Sequence, residues 1–196
     1  MIICCLDLEG VLVPEIWTQV SRKTGIRELR FTTRDIPDYD KLMKQRLRIL
    51  REHKVSLKDI QNVIRKIAPL PGAKAFLDEL RSRCQVIILS DTYEEFARPL
   101  MEKLGYPTLF CNDLMIDKKG FIAGYRLRQK NGKEKAVKAL RRIGFRVHAA
   151  GDSYNDITML KAADRGVLFN PPDSIRREFP GFGVVKNYKD LLAALQ

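Results

Sequence analysis

The sequence predicts an α/β fold: a parallel sheet with helices on both faces and a small α-helical cap inserted after the first strand. Three observations carry this reading. Short, continuous apolar runs alternate with helical stretches of ten or so residues from position 71 onward, the pattern of strands buried on both faces. Three apolar runs, the first of them at residues 2–6, end in polar residues, at Asp7, Ser90 and Asp152, where an open parallel sheet keeps its ligand crevice. Residues 14–70 break the rhythm and contain no convincing strand.

Taken in order, Ile2 to Leu6 is apolar throughout and reads as a central strand. Helical stretches follow near 15–24, 38–52 and 56–67, with Pro14 and Pro69-Leu70-Pro71-Gly72 bracketing them as hinges. Gln85-Val86-Ile87-Ile88-Leu89 is the next strand and ends in Ser90-Asp91. A helical pattern runs through Leu100 and Leu104 and stops at Gly105. Pro107 to Cys111 reads as a short strand, and 113–117 with 121–126 as a hairpin around Lys119-Gly120. A helix from about Lys133 to Ile143 ends at Gly144, and Arg146 to Ala150 is a strand running into Gly151-Asp152. A helix over 154–163, strands at 166–169 and 183–185, and a helix from about 187 complete the pattern. The expected organisation is a Rossmann-like core of residues 1–13 and 71–196, with 14–70 as a helical cap beside the carboxyl end of the first strand.

Composition narrows the class. A chain of 196 residues suits one domain, or one domain with a small insertion, and 45% hydrophobic with 31% charged residues excludes a disordered chain. No apolar run approaches the ~20 residues that span a bilayer. Asp7 and Glu9 follow too soon for a signal peptide, so a cytoplasmic protein is expected. Cys4, Cys5, Cys84 and Cys111 lack metal-site spacing and read as reduced, mostly buried thiols. The net charge of +12 calls for an anionic partner, whether nucleic acid, a membrane surface or a phosphorylated small molecule, and composition does not choose among them.

The strand ends are more specific. A carboxylate at the end of an apolar strand, two residues from another, is an electrostatic liability unless a cation sits between them. Asp7 and Glu9 make such a pair, and Asp152 and Asp156 add two more acids. In that order, Asp7-Leu8-Glu9-Gly10-Val11, Ser90, Lys133 and Gly151-Asp152-x-x-Asn155-Asp156 resemble the four motifs of the haloacid dehalogenase superfamily. The helical insertion and Pro14-Glu15-Ile16-Trp17 look like its phosphoserine phosphatase branch. Met43-Lys44-Gln45-Arg46-Leu47-Arg48-Ile49-Leu50 is similar to members that act both as phosphoserine phosphatase and as phosphoserine:homoserine phosphotransferase.

The resemblance implies Mg²⁺-dependent phosphotransfer from O-phosphoserine through an aspartyl-phosphate, to water or homoserine, in serine and threonine metabolism. It implies Asp7 as nucleophile and Glu9 as general acid and base, in place of the family's usual second Asp. Ser90 and Lys133 would hold the phosphoryl oxygens. Mg²⁺ would be bound by Asp7, Asp152 and the main-chain carbonyl of Glu9, with Asp156 supporting the site. Asn155 and Asp91 would assist in substrate binding, Asp91 by its backbone amide or else only as a helix cap. Glu15 and Arg46 would hold the substrate's amino and carboxylate groups.

The chemistry suits these residue types. A carboxylate approaches a phosphate dianion only once charge is neutralised, which requires Mg²⁺ and a lysine. Arg grips a carboxylate bidentately where Lys does not. Competing readings are phosphatase action on another small phosphomonoester, and nucleic-acid binding on a decayed enzyme scaffold, although no nucleic-acid-binding motif is visible. Lys130 competes with Lys133, Trp17 reads as cap interior, His53 as solvated and His148 as a satisfied core residue. The segment 14–70 carries 14 Lys/Arg against 7 Asp/Glu, so a basic cap facing an acidic crevice is expected to attract a small phosphate anion.

Overall fold

The computed structural model describes residues 1–32, 35–36 and 38–196. Its strands are β1 (Ile2–Leu6), β2 (Gln85–Tyr93), β3 (Thr108–Ile116), β4 (Ile122–Arg126), β5 (Arg146–Gly151), β6 (Arg165–Phe169) and β7 (Gly183–Val185). They form one sheet in the order β4-β3-β2-β1-β5-β6-β7, parallel except for the β3–β4 pair. Cys4 pairs with Val86 on one side and His148 on the other, which places β1 at the centre. A central strand has both faces covered, and Cys4, Cys5 and Leu6 are fully buried.

Alternation along β1 sends its side chains into two apolar clusters. Cys4 and Leu6 join Phe76, Leu77 and Leu80 of α4 (Ala73–Arg83), Phe96 and Leu100 of α5 (Glu94–Lys103), and Leu191 of α9 (Tyr188–Ala194). Ile3 and Cys5 join Val137 of α6 (Gly132–Arg142), Leu160 of α7 (Ile157–Ala162) and Ile175 of α8 (Asp173–Glu178) on the opposite face. Helices therefore cover both faces, as the apolar runs predict.

Three local readings change. Residues 107–111 and 113–117 belong to one continuous strand, β3, whose outer half pairs antiparallel with β4. The strand that reads as ending at Leu89 continues to Tyr93, so Ser90 and Asp91 lie within β2 and cap no helix; the next helix begins at Glu94. The stretch 154–163 divides into a 3₁₀ turn, Tyr154–Asp156, and the short α7.

The insertion holds α1 (Ile16–Thr24), a 3₁₀ turn (Arg27–Arg30), α2 (Tyr39–Glu52) and α3 (Leu57–Ile64). The last two begin on side-chain caps: Asp38 accepts from the Lys41 N–H, and Ser56 forms a capping box with Asp59. Val20, Leu29, Met43, Leu50, Ile60 and Ile64 share one apolar cluster with Leu6, Leu8 and Phe96, so these helices are packed directly onto the sheet layer. Where the segment leaves and rejoins, the Leu70 N–H donates to the Leu12 carbonyl at 2.9 Å. Cys4, Cys5 and Cys111 are buried, and burial pushes the Cys5 thiol up to about 12. His148 Nδ1 lies 2.7 Å from the Leu195 carbonyl, and His53 is exposed. Among the described residues no helix is long and apolar enough to cross a membrane.

Candidate active site

The ends of β1, β2 and β5 converge with the start of α6. Asp7, one residue beyond β1, is buried, and its Oδ1 accepts from the Leu8 N–H at 2.7 Å and from Lys133 Nζ at 2.8 Å. Lys133 is 5% exposed and also donates to Asp156 Oδ1 at 2.7 Å, with Asp91 Oδ2 3.8 Å away. Burial works against the Lys133 charge, but Asp156, Asp7 and Asp91 outweigh it and hold the ammonium protonated. Lys130 is exposed, so the buried role belongs to Lys133.

Asp156 is wholly buried and fully engaged. Its second oxygen accepts from the N–H groups of Asp152 and Ser153 at 3.0 and 3.1 Å, and from the Ser153 hydroxyl. Gly151 leaves room for it, since a Cβ there would lie 2.4 Å from the Asp156 carboxylate. Gly10 is needed for two reasons: its φ is +81°, and a Cβ would come within 2.4 Å of the Asp152 carboxylate. The loop after β1 is thus pressed against Asp152 with no space for a side chain.

Side-chain oxygens of Asp7, Asp152 and Asp156 all lie within 4.8 Å of one another, and Asp152 Oδ1 is buried without a hydrogen-bond partner among the described residues. Burial and then Asp156 push Asp152 up to about 7; burial, Asp156 and Asp152 raise Asp7 against the pull of Lys133. A hard divalent cation resolves both problems, because it neutralises the crowd and takes up the idle oxygen. Mg²⁺ fits this donor set; Asp7 and Asp152 would hold it, with Asp156 as buttress.

Glu9 is held differently. Its Oε2 accepts from the Ile16 N–H, the first amide of α1, at 2.7 Å. Burial and then the neighbouring Glu15 carboxylate push it up to about 8. Glu15 itself is exposed, makes no capping bond, and acts through its charge on both Glu9 and Asp152. Ser90 is buried, its Oγ accepting from the Thr92 N–H at 3.2 Å. The Asp91 side chain accepts from Asn155 Nδ2 at 2.8 Å and so ties the end of β2 to the loop after β5.

Arg46 comes from α2 and is 6% exposed. Its guanidinium sits 4.4 Å from the centre of the Trp17 ring and donates through Nη2 to the Phe31 carbonyl at 2.6 Å. Nε is buried without a partner, and among the described residues no carboxylate lies within ion-pair distance of the group. Trp17 meets Phe96 edge-on, which makes the cap's tryptophan the support for this arginine. Sequence reasoning missed Tyr39 and Tyr93, whose hydroxyls meet at 2.6 Å and join the first residue of α2 to the last of β2. Tyr93 lay past the expected strand end, and the seven-residue spacing of Tyr39 and Arg46 on one helix was the available signal for the other.

A family model for haloacid dehalogenase-like hydrolases matches residues 3–164, which span every one of these groups. The chain belongs to the haloacid dehalogenase-like hydrolases. Within that family it is 59% identical over 191 residues to the phosphoserine phosphatase ThrH of Pseudomonas aeruginosa, covering 97% of this chain and 93% of the relative. It is 58% identical to a phosphoserine phosphatase of Pseudomonas syringae pv. tomato, covering 96% and 80%. In fold it matches the crystal structure of a phosphoserine phosphatase in apo form, at a TM-score of 0.80 and 20% identity, covering 99% and 98% of the two chains.

Proposed function

We propose that this hydrolase takes the phosphoryl group of O-phosphoserine onto Asp7 and passes it to water, to homoserine or to both, with Mg²⁺ as cofactor. The observation that carries the reading is the buried Asp7–Lys133–Asp156 chain beside the idle Asp152 oxygen, facing a cap that buries an arginine without a carboxylate partner. The relatives named phosphoserine phosphatase support the substrate.

In the first step an Asp7 carboxylate oxygen bonds to phosphorus while the bond from phosphorus to the seryl oxygen breaks. Among the described residues both donors to Asp7 sit on Oδ1, which leaves Oδ2 as the attacking atom. Lys133 and the Ser90 hydroxyl hold the phosphoryl oxygens. Glu9, which keeps its proton up to about 8, gives that proton to the departing alkoxide. In the second step Glu9 takes the proton of the acceptor O–H as the acceptor oxygen bonds to phosphorus and Asp7 leaves. Bound Mg²⁺ supplies charge neutralisation between the carboxylate and the phosphate. Arg46 and Glu15 select an amino acid by its carboxylate and ammonium, and the basic cap draws the anion inward.

The test is incubation with O-phosphoserine and Mg²⁺, with and without homoserine, measuring free phosphate and phosphohomoserine. Turnover of some other phosphomonoester with none of O-phosphoserine would overturn the substrate. Micromolar, salt-sensitive binding to DNA or RNA in a gel shift would instead favour the nucleic-acid reading.

The Gly10 contact makes the metal testable apart from turnover. Mg²⁺ is expected to raise the melting temperature of the wild-type protein in a saturable way, because a ligand that binds only the folded state stabilises it. Gly10→Ala is expected to lose most of that rise, since its methyl group displaces the Asp152 carboxylate. An undiminished rise in the variant would show that Asp152 holds no metal.

A further inference from the structure

Tyr93 closes β2 and is 1% exposed, so its hydroxyl has to find a partner inside the protein. The partner is the hydroxyl of half-buried Tyr39, the first residue of α2, at 2.6 Å. Among the described residues neither hydroxyl makes another hydrogen bond. Two hydroxyls bring two protons to one hydrogen bond, so one proton is left over. If Tyr39 donated, the surplus proton would sit on fully buried Tyr93 with no acceptor, the costly arrangement. Tyr93 therefore donates, and the free O–H belongs to Tyr39.

Through Tyr93 the hydroxyl of Tyr39 meets β2 two residues past Asp91, on the strand end that carries Ser90 and Asp91 into the site. Tyr39 and Arg46 are seven residues apart on α2, so both project from one helix face, the face that also buries Leu42 and Met43. This face presents two unspent donors: a neutral O–H at Tyr39 and the buried Nε–H of Arg46. A carboxylate has acceptor sites enough for both donors.

We propose that Tyr39 is a substrate-binding residue whose hydroxyl donates to the carboxylate held by Arg46, and that Tyr93 positions it by occupying its acceptor side. The inference rests on the role given to Arg46 above. Its test compares kcat/KM for O-phosphoserine with that for O-phosphoethanolamine, which lacks the carboxylate. The comparison covers wild type, Tyr39→Phe, Tyr93→Phe and the double variant, with melting temperatures recorded for each. Tyr39→Phe is expected to cut the preference for O-phosphoserine about tenfold, the scale of a hydrogen bond to a charged group, and mainly through KM. Tyr93→Phe is expected to cut it less, and to add nothing in the Tyr39→Phe background, because it acts through Tyr39. A preference left intact by Tyr39→Phe overturns this inference alone, as does an equal loss on both esters with a lowered melting temperature. A wild-type enzyme without any preference between the esters overturns the proposed function and this inference with it.

Discussion

Asp7→Asn is expected to lower turnover of O-phosphoserine by at least about 10⁴-fold, the scale seen when a covalent nucleophile is removed. An amide is neutral and a poor nucleophile, and the binding groups around it cannot replace the missing bond to phosphorus. The same variant is expected to lose any acid-labile phosphoenzyme trapped by quenching a labelled reaction. Its stability should move the other way when Mg²⁺ is withheld. Burial, Asp156 and Asp152 together oppose a charge on Asp7 more than Lys133 favours it, and Lys133 keeps Asp156 as its partner, so an amide relieves a repulsion that the native site maintains for chemistry. The expected signature is a higher melting temperature without Mg²⁺, together with a smaller rise when Mg²⁺ is added. Full activity in this variant would remove Asp7 from the mechanism.

Lys133→Met is expected to fail in both respects. The ammonium bridges Asp7 and Asp156 at 2.8 and 2.7 Å in a buried setting. Removing one partner of a buried ion pair leaves the other charge uncompensated, at a cost of roughly 3–5 kcal/mol. For a chain of this size that corresponds to a fall of roughly 6 °C or more in melting temperature, measurable by calorimetry. Activity is expected to fall by roughly 10²–10³-fold or more, as when a preorganised donor to the reacting oxygens is lost. Mg²⁺ should recover part of the stability, since it supplies positive charge to the same carboxylates, but not the activity. Lys130→Met is the control: that side chain is exposed, and its loss should shift stability by no more than about 0.5 kcal/mol. Equal effects of the two substitutions would refute the placement of Lys133 at the centre of the site.

The acids explain why so basic a chain is not read as a nucleic-acid-binding protein. More than half of the +12 excess lies in residues 14–70, whereas Asp7, Asp152 and Asp156 gather at one place. In the proposed reaction a single phosphate group met by Lys133, on a substrate whose carboxylate Arg46 holds, would use both signs of charge.

Much of this was legible from sequence because the signals are local. A continuous apolar run such as Ile2 to Leu6 is compatible with few settings other than a strand buried on both faces, and its abrupt end at Asp7 marks the crevice. Pro14 and the Pro69–Gly72 segment bound the inserted helices for equally local reasons. Motif order then named Asp7, Ser90, Lys133 and Asp152. Local signals also misled where pairing decides the outcome. Ser90 and Asp91 resemble a helix start, yet β2 runs on to Tyr93 beside β3, and the two short runs near Cys111 join because β2 and then β4 supply their partners.

Only the packed chain shows that Asp156 is locked between Lys133 and two backbone amides, that Gly10 lies against Asp152, that Arg46 rests on Trp17, and that the hydroxyls of Tyr39 and Tyr93 meet. Each depends on groups from elements far apart in the chain, and periodicity and capping rules carry no information about which side chains meet once those elements dock. Local patterning suffices to place the strand ends and the chemistry they can support. Packing of the inserted helices onto the sheet through one shared apolar cluster buries the groups around it, and among the described residues it leaves Arg46 Nε and Asp152 Oδ1 without a partner.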